Sequence, residues 1–190
     1  MKIAIIDSGV FEAHPHVGKI AGAIEITPAG FGNDPLDRLG HGTAVAAAIL
    51  EKAPDAELYS VKVFSGRLAA NMAMILRALD WCREQRMDLV NLSLGTANPE
   101  HRELFLEALR GMGTLVSAAD MLPGSLPGVI GVSPDEDCPR DQFQIRDGIY
   151  YASPYPRPIE GLPSKLNLQG VSFAVANVTG LLARQEALCR

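Results

Sequence analysis

The chain reads as an α/β protein, a three-layer α/β/α sandwich around a mainly parallel central sheet. Short β-branched apolar runs recur along it, each closed by a turn residue, as buried parallel strands are. Segments with helical apolar spacing separate these runs, and strands joined by helical crossovers pair in parallel with helices covering both faces. The length of 190 residues suits one domain with one sizeable core rather than two. Residues 1–190 are therefore taken as a single domain.

"KIAIID" at 2–7 is an apolar run ended by "DSG", a buried strand and its turn. "HGTAVAAAIL" opens a helix at His41, and "AELYSVKVF" restores strand character. Met72, Ile75, Leu76 and Leu79 fall at helical spacing, which predicts an amphipathic helix with one buried face. "MDLVNLSLG" is again a strand, stopped at Gly95. Phe105, Ala108, Leu109 and Met112 repeat the helical spacing, and "GTLVSAAD" and "GVIGVS" supply two more strands. From about 133 to 168 the pattern fails. "PDEDCPRD" is turn-rich and charged, "YASPYPRP" cannot hold a regular central strand, and only "DGIYYAS" looks strand-like. An irregular surface segment, a hairpin or a flap, is expected there. "GVSFAVANVTG" at 170–180 begins the last helix.

Composition narrows the function. Apolar residues make up 47% and charged residues 21%, ordinary globular usage. The net charge of -5, with scattered Lys and Arg, gives no footprint for nucleic acid. The apolar run after Lys2 is too short for a signal peptide, and nothing approaches a membrane span, so no membrane partner is expected. Cys82, Cys138 and Cys189 form neither a CxxC pair nor an even framework. They read as reduced structural thiols, and the expected location is cytoplasmic.

In a sheet of this kind, ligands bind beyond the carboxyl ends of the strands. Asp7, Ser93 and Asp120 each close a predicted strand, while His41 and Ser172 stand at helix starts that the crossovers bring to the same edge. An acid, a histidine and a serine are the parts for acyl transfer: the serine attacks, the imidazole moves its proton, and the carboxylate fixes the imidazole. Each residue also has a plainer role. Asp7 can initiate a turn, His41 can sit satisfied at a helix start, and Ser172 can cap its helix.

"IIDSGV" followed by "HP", then "GHGTAVAAAIL", "NLSLG" and "GVSFAVANVTG", resembles the subtilisin-like serine peptidase family. The likeness covers roughly 1–132 and 168–190, with the three motifs in the family's order on matching elements. It implies that Asp7 orients, His41 is general base and acid, and Ser172 is the nucleophile. It also implies that Ser65, Gly66 and Arg67, with Ser93, Leu94 and Gly95, flank a polypeptide substrate bound as an added strand.

The departures from the family are as informative. Asp120 stands where the family places an asparagine that donates to the oxyanion, beside the Ser172 backbone N–H. A carboxylate cannot donate, so Asp120 is expected to act as a protonated donor raised by apolar burial, or to weaken activity. Ala176 replaces a proline and Val171 a threonine, and the stretch from Asp120 to Gly128 is too short to wall a deep specificity pocket. That pocket is expected to be shallow or to be completed by 133–168. No acidic calcium-binding loop is visible, so neither metal nor cofactor is expected. Because the chain starts almost at its first strand, the expectation is a minimal, prodomain-less peptidase that processes an intracellular precursor or leader peptide, under an activating or precursor-peptide partner. The alternatives are a pseudopeptidase that binds extended peptides and an esterase using the same triad.

Overall fold

A computed structural model describes residues 1–163 and 166–188, so Cys189 lies outside the described residues. Nine strands form one sheet: β1 (Lys2–Asp7), β2 (Gly22–Thr27), β3 (Gly30–Gly32), β4 (Glu57–Lys62), β5 (Leu89–Leu92), β6 (Thr114–Ala118), β7 (Ile130–Pro134), β8 (Phe143–Arg146) and β9 (Ile149–Ala152). Their spatial order is β3-β2-β4-β1-β5-β6-β7-β9-β8. Pairing is parallel from β2 through β9, and only β3 and β8, at the two edges, run antiparallel to their neighbours.

The helices are α1 (His41–Leu50), α2 (Met72–Glu84), α3 (Arg102–Ala108) and α4 (Val171–Leu188). The central strand β1 shows why both faces need cover. Ile3 and Ile5 pack with Val45, Ile49, Phe173 and Val178 of α1 and α4. Ala4 and Ile6 point the other way, toward Ile75, Leu79 and Phe105 of α2 and α3. This period-two alternation between two apolar clusters is the three-layer sandwich that the buried runs imply.

Asn71 caps α2, its side chain accepting from the Met74 N–H at 2.9 Å. The buried face of α2 is Met74, Ile75, Ala78, Leu79 and Cys82. Cys82 and Cys138 are free and buried. α4 runs unbroken for 18 residues, as the absence of a proline at Ala176 allows. Among the described residues, no helix is long and apolar enough to cross a membrane.

One region differs from the sequence expectation, and a second, expected as a hairpin or a flap, proves to be a hairpin that continues the sheet. Residues 22–32 contribute β2 and the three-residue edge strand β3, whose glycines and charges leave little apolar signal. The segment at 133–168 is more ordered than expected. β8 and β9 form a hairpin whose turn places Asp147 and Gly148 at φ 51° and 79°, the left-handed pair a tight hairpin uses. β9 also joins β7 in parallel, and Ala152 and Ser153 are buried, so this part extends the sheet rather than covering it.

Candidate active site

The site is built on the carboxyl edge of β1 and β5, under the N-termini of α1 and α4. Asp7 is the last residue of β1 and is buried. Gly42 decides how near α1 can approach it. A Cβ there would stand 2.2 Å from the Gly9 carbonyl oxygen and 3.2 Å from Asp7 Cβ, so the first turn of α1 seats against β1 only with glycine. His41 Nδ1 then lies 2.7 Å from Asp7 Oδ1. The same oxygen accepts from the Ser8 N–H at 2.7 Å. A carboxylate at Nδ1 selects the tautomer that leaves Nε2 free to accept a proton. The His41 ring is tilted against Phe173 of α4, with centroids 5.4 Å apart.

Asp37 fastens this turn from the other side. Its Oδ1 accepts from the Ser8 hydroxyl and from the Leu39 and Gly40 N–H groups, each at 2.9 Å. Its Oδ2 accepts from the Thr43 N–H at 2.9 Å and the Thr43 hydroxyl at 2.6 Å. Lys62 holds the loop that carries Asp37. This lysine is 1% exposed and donates to the carbonyls of Asp34 at 2.7 Å and Leu36 at 2.9 Å, with Glu25 and Asp34 carboxylates at 3.7 and 3.5 Å.

These neighbours tune the imidazole. Burial alone pulls the His41 pKa down, but the hydrogen bond to Asp7 and the charges of Asp7 and Asp37 outweigh it, so the value is raised above 6.5. For Asp37, burial pushes up, yet hydrogen bonds from Thr43, Leu39 and Ser8 overcome it and the carboxyl stays below its usual 3.8.

Ser172 is the second residue of α4, inside the helix rather than ahead of it. Its hydroxyl donates to the Ser93 carbonyl at 3.2 Å, which is not the acceptor role of a capping serine. Among the described residues, no hydrogen bond joins Ser172 to His41. Both nevertheless line one cavity of about 240 Å³, with Phe64, Leu68, Leu94 and Met121. Asn91 of β5 sets the height of this floor. Its amide donates to Ser93 Oγ at 2.8 Å, and its carbonyl accepts from Thr179 of α4 at 3.0 Å.

The structure therefore brings Asp7, His41, Ser172, Ser93, Leu94 and Gly95 together. Ser65, Gly66 and Arg67 form an exposed bend, while their neighbours Phe64 and Leu68 face the cavity. Asp120, expected at the oxyanion position, is absent from the lining of the cavity that holds Ser172. It is exposed and lines a neighbouring cavity with Thr96, Arg102 and Ser125, so the apolar burial invoked for a protonated donor is missing. The short connection after β6 is pinned two residues further on. Leu122 pairs with Thr96 through two hydrogen bonds, Thr96 N–H to Leu122 O at 2.9 Å and Leu122 N–H to Thr96 O at 3.0 Å. Met121 lines both this neighbouring cavity and the one that holds Ser172. Sequence reasoning missed Met121, Phe64, Leu68, Asp37 and Lys62. The last two carried a signal: an acid four residues before His41, and a lysine inside the apolar run "YSVKVF".

A carboxylate-held imidazole and a serine at the head of a helix, on the carboxyl edge of a parallel sheet and in the chain order acid, histidine, serine, define a class of α/β serine-hydrolase architecture. Comparison with known proteins gives the family. The model of the subtilase family matches residues 1–126, and the chain belongs to that family. M-protease of Shouchella clausii is 29% identical over 213 residues, covering 96% of this chain and 53% of that protein. Subtilisin Savinase of Lederbergia lenta is 29% identical over the same length, covering 96% and 75%. Subtilisin E of Bacillus subtilis is 34% identical over 104 residues, 50% of this chain and 27% of that protein. The chain spans about half the length of M-protease.

Proposed function

We propose that the chain is a serine endopeptidase that acts through Asp7, His41 and Ser172 and an acyl-enzyme. The observation that carries this reading is the 2.7 Å contact between His41 Nδ1 and Asp7 on the cavity that also holds Ser172. Rotation about the Ser172 side chain exchanges the Ser93 carbonyl for His41 Nε2, a contact that tightens when substrate arrives. Ser172 Oγ then bonds to the carbonyl carbon and its proton passes to Nε2, while Asp7 stabilises the imidazolium. The C–N bond breaks as His41 returns the proton to the leaving amine, and water repeats the sequence on the ester.

The oxyanion falls to the Ser172 backbone N–H, a first-turn group without a partner inside α4, and to the positive end of that helix. Asp120 adds no donor from its outward position. Loss of one such donor costs on the order of a hundred- to a thousand-fold in turnover, the cost known for a subtilisin. The enzyme is accordingly slow. A slow enzyme with a narrow site fits processing of a dedicated precursor or leader peptide in the cytoplasm, with the peptide laid along Ser93–Gly95, better than general digestion.

A second reading is peptide binding without cleavage, favoured by the Ser172 hydroxyl resting on Ser93 and by the outward Asp120. A mixed-sequence peptide library incubated with the protein and with Ser172→Ala, then read by mass spectrometry, separates the two. New termini that vanish in Ser172→Ala support the peptidase. Intact peptides retained by both proteins support binding, and hydrolysis of esters alone supports an esterase.

A further inference from the structure

Asn91 is a fully buried amide in an apolar layer. Its neighbours across the sheet are Ile5 of β1 and Val116 of β6, and both belong to the apolar cluster under α1 and α4. An amide there costs free energy unless its polar groups are bonded, a cost that a hydrophobic residue would not carry. Asn91 meets it with bonds that lead to α4. Its amide donates to Ser93 Oγ at 2.8 Å, so the Ser93 hydroxyl proton is left to face the Ser172 carbonyl at 3.5 Å. Ser172 in turn donates its own hydroxyl to the Ser93 carbonyl at 3.2 Å. The Asn91 carbonyl accepts at 3.0 Å from Thr179, whose hydroxyl is also 2.8 Å from the Val175 carbonyl.

Ser172 and Thr179 lie two turns apart on one side of α4. One side chain of β5 therefore fastens the helix at two points, through Ser93 at its head and directly two turns further on. The apolar cluster that seats α4 includes the small side chains Ala174, Ala176 and Ala183, and apolar packing is non-directional. Packing holds the helix on the sheet, whereas the hydrogen bonds set its position along and about its axis. We propose that Asn91 is a positioning residue for the nucleophile: acting through Ser93, it sets where the first turn of α4 presents the Ser172 hydroxyl and backbone N–H. This inference rests on the peptidase reading, and it gives Asn91 a part in the maximum rate rather than in peptide affinity.

The test follows phosphonylation of Ser172 by a peptidyl diphenyl phosphonate at rising concentration, which separates affinity from the maximum rate. Ser172 Oγ bonds to phosphorus as phenoxide leaves, the hydroxyl proton passes to His41, and intact mass follows the rate. Asn91→Leu keeps the volume and removes both links. Its maximum rate should fall on the order of a hundredfold, the scale of a small misplacement of the nucleophile, at an unchanged half-saturating concentration. Ser93→Ala removes the link to Ser172 and should also lower the maximum rate, and the double variant should be no slower than the slower single one. A maximum rate in Asn91→Leu close to that of the unaltered protein, or losses that multiply in the double variant, would overturn the proposal while leaving the peptidase reading intact. Should Asn91→Leu fail to fold, Ser93→Ala decides alone, and an unchanged maximum rate there overturns the proposal. No adduct in the unaltered protein would bring down both.

Discussion

At the scale of single residues, the site depends on how His41 is held. Its imidazole is partly buried, which disfavours the cation, but Asp7 and Asp37 favour it more, and the net pKa lies above 6.5. A general base works only when neutral, so activity should fall on the acid side through a pKa above the reference value. Asp37→Asn removes one of the raising charges and should move that limb toward lower pH. The pH dependence of Ser172 phosphonylation measures the shift, and a limb that stays in place contradicts this account. Asp120 supplies the opposite case. Held outward, Asp120→Asn should leave the phosphonylation rate close to that of the unaltered protein. A gain on the order of a hundredfold would mean that the side chain turns inward and donates. The meeting of Asp7, His41 and Ser172 at one edge was legible in the sequence because each ends a strand or opens a helix. The exposure of Asp120 was not, because the connection that carries it is held by pairing between Leu122 and Thr96, 26 residues apart in the chain.

Element by element, the position of α1 matters most. Gly42→Ala drives a methyl into the Gly9 carbonyl, so α1 must move away from β1. A loss of about 1–3 kcal/mol is expected from overpacking, together with loss of Ser172 labelling as His41 leaves Asp7. Asn71→Ala is the contrast. It strips the cap from α2 on the far face of the sheet, should cost about 1 kcal/mol in chemical denaturation, and should leave labelling intact. Labelling lost equally in both would show that stability, not geometry, governs the site. Strongly periodic elements such as β1, β5 and α2 were legible from their apolar spacing. β2, β3 and β8 were not, since short edge strands bury little and carry little pattern. In the hairpin, "DGIYYAS" marked the turn and β9, whereas β8 lay in a stretch rich in charge and turn residues.

Across the whole molecule, a chain of partly buried polar contacts links the sheet to the edge that carries His41. Lys62 on β4 holds the carbonyls of Asp34 and Leu36, Asp37 follows in the same loop, and Asp37 holds the first turn of α1. Lys62→Met leaves Glu25 and the two carbonyls without their cation and should destabilise by about 3–5 kcal/mol, read from the denaturation midpoint. A change below about 1 kcal/mol would show that the loop stands without it. The central claim is that this scaffold activates Ser172. Intact mass after exposure to a fluorophosphonate, beside Ser172→Ala and Asp7→Asn, tests it most directly. One adduct, absent in Ser172→Ala and strongly slowed in Asp7→Asn, is the predicted result. No adduct, or one that persists in Ser172→Ala, would contradict the claim and leave Ser172 a structural residue of α4.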